Sequence, residues 1–414
     1  MKLLWIVPYA PNPIRVRSYQ FLRTLAARGH EITLAALWSS KSEYNDLNAL
    51  TDWGIEIWIA ELTRRRSLLN AALALPTRTP LQARFANVPA LHADVVEALQ
   101  QTSPDAIHVE HLRGAPYAEV ALRARRPRAD GLYPPIVWDS VDCISHLFAQ
   151  AAAQSASARG RWMARLELSR TRRAEALLPN LFDQTVVTAA SDAAALRSLA
   201  GANAPISVVP NGVDLAGFSP PATPAQRAPA RIIFTGKMSY HANVSAAVHL
   251  VQTIMPLVWA QRADAEVWLV GKEPAPEVRA LASTRVIVTG GVDSMAAALQ
   301  AATVAAAPIT YGAGIQNKVL EAMACATPVV ASPQAVSALE AVAGRDYLPG
   351  ATPAEFAASV LALLDNPHLR AQVGEAGRAY VEDHHTWGAA AERLEALYLA
   401  PARKERGQLA RRST

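Results

Sequence analysis

Short apolar runs alternate with stretches of helical periodicity along nearly the whole chain, and this alternation constrains the fold more than any motif does. Residues 3–7, LLWIV, are a continuous apolar run of the kind found in a parallel strand buried on both faces. An amphipathic helix over 19–28 follows, ended by Gly29, and strands are expected at 31–37, 55–59, 106–109, 136–138 and 184–188. Helices fall between them at 91–101, 115–126 and 149–178. After the turn signal VVPNGVD at 208–214 and a proline- and alanine-rich connector at 219–229, the pattern starts again. Its strands are read at 231–234, 266–270, 285–288, 304–309 and 328–331, with helices at 244–258, 277–283 and 317–323. A chain patterned in this way is expected to form two doubly wound parallel sheets, each binding ligands at the carboxyl ends of its strands. The expected α/β domains are 1–205 and 206–385, followed by a helix over 386–400 and a disordered basic tail over 401–414. Trp387, Ala391, Leu394 and Tyr398 recur at three- and four-residue steps, which gives that helix one apolar stripe.

The 414 residues suffice for two cores, with 51% hydrophobic and 18% charged side chains. Cys143 and Cys325 are far apart and lack metal-ligand spacing, which fits small core residues in a reducing compartment. No secretory leader is read at the start, and a cytoplasmic location is expected. No uncharged apolar run is read as reaching the roughly 18 residues of a membrane span. The longest candidate, 295–309, is too short.

Residues 1–205 carry a net charge of +5, residues 206–400 one of −4 and the tail one of +4. The basic half points to an anionic partner, either a membrane surface or a phosphorylated substrate, and no nucleic-acid partner is expected. Residues 157–173 hold six arginines and one acid beside Trp162, Met163, Leu166 and Leu168. That segment either touches anionic membrane as a peripheral contact or is a solvent-exposed helix.

The stretch 306–332 carries the most chemistry: a strand, a glycine turn, a helix and a second strand. Gly312 and Gly314 let the backbone turn tightly and bring amides close to a ligand. The helix that follows presents free N–H groups and a positive dipole end, a seat for phosphate. Lys318 and Glu321, three residues apart, share one helical face. The first suits a diphosphate and the second a ribose diol; the plainer alternative is a solvated ion pair on a structural helix. The Gly-x-Gly-x-x-Gly fingerprint is absent after the first strand, so a nicotinamide-binding domain is not expected.

The ordered set RGHEITL, VVPNGVD, FTGKMSYHANVSAA and GIQNKVLEAMACATPVVAS resembles the retaining glycosyltransferases of GT-B fold. Its flavour is similar to sugar transferases of exopolysaccharide and exosortase systems, and the resemblance runs to about Ala400. It implies two Rossmann-like domains facing across a cleft, the second holding a nucleotide-diphosphate sugar and the first a hydroxyl acceptor. Residue by residue, it implies that Glu321 binds the ribose and that Lys237 and Lys318 neutralise the diphosphate. It also implies that His111 lies near the donor sugar, with His108 the neighbouring alternative. It implies front-face transfer assisted by the leaving phosphate. No cofactor and no metal are expected. Metal-using transferases commonly carry Asp-x-Asp at the phosphate, and this chain has none.

Two departures from the family pattern bear on the donor. The first of two glutamates expected in the family falls at Ala313, so the sugar is left to the amides of Gly314, Ile315, Gln316 and Asn317, or to the Gln316 and Asn317 side chains. The family's glycine pair in the first loop is replaced by Pro13-Ile14-Arg15-Val16-Arg17. Arg15 or Arg17 then reaches a phosphate of donor or acceptor, or lies on a solvated face. Asp139 is expected to cap a turn, whereas Asp142 either caps or orients an acceptor hydroxyl. The function expected is hexose transfer to a lipid-linked or polysaccharide precursor at the inner membrane face. The alternatives are a nucleotide-sugar epimerase of the same fold and a non-catalytic sugar-nucleotide-binding protein.

Overall fold

Among the described residues thirteen strands, all in parallel pairs, build two sheets. The computed structural model describes residues 1–154, 158–222, 227–228, 230–311, 314–400 and 402. It divides into one unit of Met1–Pro210 with Ala390–Thr414, and a second of Asn211–Ala389. Gly312, Ala313 and all of the expected tail except Ala402 lie outside the described residues.

In the first unit the strands are β1 Lys2–Val7, β2 Glu31–Trp38, β3 Glu56–Glu61, β4 Ala106–Glu110, β5 Ile136–Val141, β6 Gln184–Val187 and β7 Ile206–Val208. Their order is β3-β2-β1-β4-β5-β6-β7. The chain runs outward in one direction from β1 and in the other from β4, so the loops after these two strands diverge at their carboxyl ends. A doubly wound sheet opens its ligand crevice at such a reversal. Both faces of β1 are covered, which is why it reads LLWIV without alternation. Trp5 stacks on His108 of the neighbouring strand with ring centroids 3.7 Å apart.

The second unit contains β8 Arg231–Thr235, β9 Glu266–Val270, β10 Val286–Gly290, β11 Val304–Ala307, β12 Val329–Ala331 and β13 Leu348–Pro349. Their order is β10-β9-β8-β11-β12-β13, with the reversal between β8 and β11. The loops that leave this reversal are the glycine loop Gly236–Lys237 and the stretch beyond Pro308.

The Asn-Gly turn of VVPNGVD has a steric cause. A Cβ on Gly212 would stand 2.5 Å from the Trp387 backbone nitrogen, so only glycine lets the two segments meet. Val213 bridges to Thr386, and its N–H donates to the His385 carbonyl at 2.8 Å. The start and end of the second unit are thereby joined.

Several expectations need correction. The helical stretch 149–178 is two helices, Ile144–Gln154 and Ala158–Leu181. The helix expected at 244–258 begins at His241 and passes through a π turn, Leu250–Ile254, just before Pro256. Proline has no N–H to give to the preceding turn, and a widened turn accommodates that loss. The whole of His241–Trp259 is long and apolar enough to cross a membrane, which the reading of uncharged runs overlooked. Half of that window is buried, and Ala246, Leu250, Ile254 and Val258 belong to the core of the second unit. The reading also missed the helix Arg64–Ala74.

Candidate active site

In the second unit the site is built where β8 and β11 end. Gly236 follows β8 at φ 148°, and a Cβ there would meet Asn243 Nδ2 at 2.6 Å. Asn243 Nδ2 donates to the Lys237 carbonyl at 3.0 Å, so the glycine loop is held open by the helix it feeds. A Cβ on Gly271 would fall 1.7 Å from the Gly236 carbonyl oxygen, so the loops after β8 and β9 pack backbone on backbone. Lys237 stands at the exposed rim with its Nζ 2.9 Å from Glu273. His241 Nδ1 lies 2.8 Å from the Tyr311 hydroxyl, and the two rings stack within 10° of parallel. That contact ties the loop after β8 to the loop after β11.

Gly314 has φ 70°, the left-handed turn that the sequence assigned to a glycine. The helix Asn317–Ala324 begins immediately after Gln316, whose side chain makes no capping hydrogen bond. Gln316 Oε1 instead accepts from Lys318 Nζ at 3.1 Å. Asn317 Oδ1 accepts from Asn211 Nδ2 at 3.2 Å, which links the helix start to the Asn-Gly turn. Ile315 is buried beneath them.

Lys318 and Glu321 are both half-buried on one face of this helix, yet no ion pair within 4 Å joins them. Burial pulls the Lys318 ammonium down to about 8, against the pull of Glu321. Burial pushes the Glu321 carboxyl up to about 7, and Lys318 opposes the rise. Two opposite charges that are partly desolvated and not bonded to each other are arranged for a ligand carrying both an anion and hydroxyls.

In the first unit, β4 ends in Glu110-His111 and β5 ends in Asp139 to Asp142. Glu110 is closed off from solvent and accepts hydrogen bonds from the Tyr9 and Ser18 hydroxyls. Burial, and then the nearby Asp139, raise its carboxyl well above the usual range. Arg17 Nε donates to Asp139 Oδ2 at 2.7 Å and Nη1 to the Val209 carbonyl at 3.1 Å.

Arg17 is therefore not a solvent-facing phosphate ligand. The period of its helix, Val16–Ala27, places it with Gln20 and Phe21 on the buried face. Arg15 stays in the loop, where it pairs with Glu43 at 3.0 Å and covers the Tyr9 ring at 4.8 Å. Asp139 is no helix cap. It lies inside β5, and its Oδ1 accepts from the Val141 N–H at 3.0 Å.

The structure also separates the two histidines. His108 is interior, with Nδ1 2.9 Å from the Tyr398 hydroxyl and Nε2 3.7 Å from Asp139. His111 is half-buried at the strand end, at φ 69°. Its N–H donates to the Asp139 carbonyl at 2.6 Å and its carbonyl accepts from Trp138 Nε1 at 3.2 Å. Those two bonds hold a backbone conformation that a non-glycine residue rarely adopts, and such strain tends to collect at functional positions. Its ring Nδ1 has no hydrogen-bond partner among the described residues. Burial and Arg113 bring its pKa to about 3, so the ring is neutral at physiological pH.

Asp142 accepts from Thr188 Oγ1 at 3.2 Å, and burial, then Asp192, push its carboxyl to about 7. The following helix is capped by other residues. Asp192 Oδ1 takes the Cys143 N–H at 2.9 Å, and Glu175 takes that of Ser145.

Sequence reading missed Tyr9, Glu110 and Tyr398. Glu110 left one signal, a carboxylate directly before the candidate histidine at a strand end. The RGHEITL motif has a structural cause as well: Arg28 holds Glu395 through two bonds of 2.7 and 2.8 Å, and His30 Nε2 meets the same carboxylate at 2.7 Å. In the basic segment 157–173, Ser157 lies outside the described residues. Arg170 turns inward to the Leu75 carbonyl at 2.7 Å, while Trp162, Met163, Arg165, Arg172 and Arg173 face outward. Among the described residues no three His, Cys, Asp or Glu side chains gather as a metal ion would need.

Comparison with known proteins places these two halves. Residues 14–216 match the family described as Glycosyltransferase Family 4, and residues 229–366 match Glycosyl transferases group 1. One relative is the GDP-mannose-dependent monoacylated alpha-(1-6)-phosphatidylinositol monomannoside mannosyltransferase of Corynebacterium glutamicum. It is 31% identical over 223 residues, which span 48% of this chain and 57% of the relative. Sucrose-phosphate synthase from Thermosynechococcus elongatus superposes with a TM-score of 0.68 at 16% identity, covering 99% of this chain and all of its own. The Anabaena protein HepE in complex with UDP-glucose gives a TM-score of 0.67 at 13% identity, covering 96% of this chain and 98% of its own. At such identities the likeness to these structures speaks of fold alone.

Proposed function

From a chain that belongs to the glycosyltransferases of GT-B fold, we propose a retaining, metal-independent transfer of a hexose from a nucleotide-diphosphate sugar to a hydroxyl acceptor. The observation that carries this reading is the Lys318–Glu321 face at the β8/β11 reversal, where a cation and a carboxylate stand half-buried and unpaired with each other. The diphosphate takes the helix N-terminus, Lys318 and the rim Lys237; the ribose diol takes Glu321. As the glycosidic bond breaks, charge grows on the departing diphosphate. Fixed cations and amides therefore stabilise the transition state more than the ground state.

The sugar itself is left to the amides of Gly314 to Asn317 and to the Gln316 and Asn317 side chains. In the first unit, neutral His111 serves as a hydrogen-bonding group for the donor sugar and not as a proton carrier. Asp142, with its carboxyl near neutrality, orients the acceptor hydroxyl. Membership in this family is what supports front-face transfer assisted by the leaving phosphate. The acceptor class we favour is a lipid-linked or exopolysaccharide precursor.

The relative named for GDP-mannose and the structure holding UDP-glucose make those two donors the first to test. A thermal-shift panel of nucleotide sugars should single out one donor by the rise in melting temperature. Nucleoside diphosphate should then accumulate when a hydroxyl acceptor is added. Donor binding without diphosphate release on any acceptor would reduce the protein to a sugar-nucleotide binder, and an acceptor-independent change of the sugar would make it an epimerase.

A further inference from the structure

The helix Arg64–Ala74 is inside out. At three- and four-residue steps Arg65, Leu68, Leu69, Ala72 and Leu73 all face solvent, while Ser67 and Ala74 are the buried positions. Leu68 is 69% exposed, Leu69 60% and Leu73 67%, and Leu75 beyond the helix end is also outward. The inward side is polar or small: Asn70 Nδ2 donates to the Asn87 carbonyl at 2.8 Å. A surface helix normally turns such a leucine stripe to the core, because water does not solvate it. A contiguous apolar patch left outside marks an interaction surface.

Charge along the segment that carries the stripe has a single sign. From residue 62 to residue 93 the chain has five arginines, Arg64, Arg65, Arg66, Arg78 and Arg84, and no acid. The patch continues onto the helix Ala158–Leu181, which is pinned to it by Arg170 at the Ala74 and Leu75 carbonyls. That helix adds exposed Trp162 and Met163 with Arg165 and Arg172. At the far end of the stripe a groove of about 580 Å³ opens, lined by Arg78, Arg123, Arg173, Leu122 and Leu177, with Glu119 as its one acid.

We propose that this face of the first unit docks onto an anionic lipid bilayer, the leucines entering the acyl boundary and the arginines meeting the headgroups. Leucine next to exposed arginine suits that boundary because one residue type wants hydrocarbon and the other wants anions, a few ångströms apart along the membrane normal. The arginines add electrostatic attraction that salt screens. The groove, basic and apolar together, then sits at headgroup depth, where the phosphate and first methylenes of one lipid match its lining. The docking surface is shifted from the basic segment 157–173, which supplies a flank and not the apolar centre. This inference stands apart from the proposed transfer reaction, because it is read without donor or acceptor.

The test is flotation of the full chain with vesicles of phosphatidylglycerol and phosphatidylcholine, compared with phosphatidylcholine alone. The expected result is binding at least tenfold stronger to the anionic vesicles, lost at high salt. Leu69→Glu with Leu73→Glu should reduce that binding at least tenfold while the melting temperature and the donor-induced thermal shift stay as in wild type. Because both side chains already face water, the variant has no core to lose. Arg65→Glu with Arg165→Glu should weaken binding to anionic vesicles only. The proposal is overturned if wild type does not bind anionic vesicles, or if the leucine variant binds as wild type does. It is also overturned if the stripe proves to hold a second copy of the chain, seen as a dimer that the leucine variant abolishes without any vesicle binding by wild type.

Discussion

Arg17 Nε lies 2.7 Å from Asp139 Oδ2, and both side chains are closed off from solvent inside the first unit. The pair spans 122 residues of sequence and fixes the start of the first helix against the end of β5. Burial raises the Asp139 carboxyl and Arg17 opposes that rise, so the carboxylate relies on its partner. His111 is bonded to the carbonyl of the same aspartate, and the pair thereby sets where the candidate histidine stands.

Replacing Arg17 by methionine should destabilise the protein by about 3–5 kcal/mol, because it strands a buried carboxylate. Arg17→Lys keeps the charge but loses the planar fork that reaches both Asp139 and Val209, so it should fall between. Urea unfolding of the three proteins checks this. A methionine variant as stable as wild type would mean that Asp139 is protonated in the fold.

Glu110→Gln should be indistinguishable from wild type at low pH and more stable than it at high pH. The sign follows from the raised carboxyl: an unfolded glutamic acid titrates near 4.3, whereas the folded one holds its proton well beyond that. Its contribution is complete below the unfolded value and is lost as pH rises through the folded one. Each pH unit across that window is worth about 1.4 kcal/mol. Denaturant titrations of both proteins at pH 4, 6.5 and 9 give the answer, and a difference that does not change with pH refutes the raised carboxyl.

Glu321→Gln should weaken donor binding by about 1.5–3 kcal/mol and, because its buried carboxyl is also raised, leave the free protein at least as stable as wild type near pH 7. Wild-type affinity should also fall as pH drops below about 7, where the carboxylate proposed to accept the diol becomes protonated. The glutamine variant should show no such fall between pH 5 and 8. Calorimetry with the chosen donor measures both. Equal affinities, or a parallel pH profile in the variant, would assign Glu321 to the helix surface alone.

Full turnover is expected in excess EDTA. A hard divalent ion asks for clustered oxygen ligands, and the proposed phosphate seat offers Lys318, Lys237 and amides in their place. Lys318→Ala should lower kcat more than it raises KM, since growing charge on the leaving group is what the ammonium meets. Activity abolished by EDTA and restored by magnesium or manganese would move the phosphate site elsewhere.

Much of this was legible in the chain itself. Continuous apolar runs such as residues 3–7 can be satisfied only by strands covered on both faces, and their alternation with helices leaves parallel winding as the solution. Gly212 and Gly236 mark backbone where a Cβ would clash, and Gly314 a left-handed turn that side chains rarely adopt, so the turns around the proposed phosphate seat were written locally. Lys318 and Glu321 share a face by helical period alone. What sequence could not decide were relations between residues far apart along the chain. Periodicity reports that a helix has two faces, but not which one the rest of the molecule covers. Hence Arg17 was left open between a phosphate and solvent and lies in the core, bonded across 122 residues to Asp139. His108 and His111 sit three apart near one strand end, and only the packing of Trp5 and Tyr398 takes the first inside and leaves the second at the surface. The helix Arg64–Ala74 shows the same limit from the other side. Its leucine stripe points outward because the elements beneath it accept Ser67 and Asn70, and that preference belongs to the tertiary structure and not to the helix.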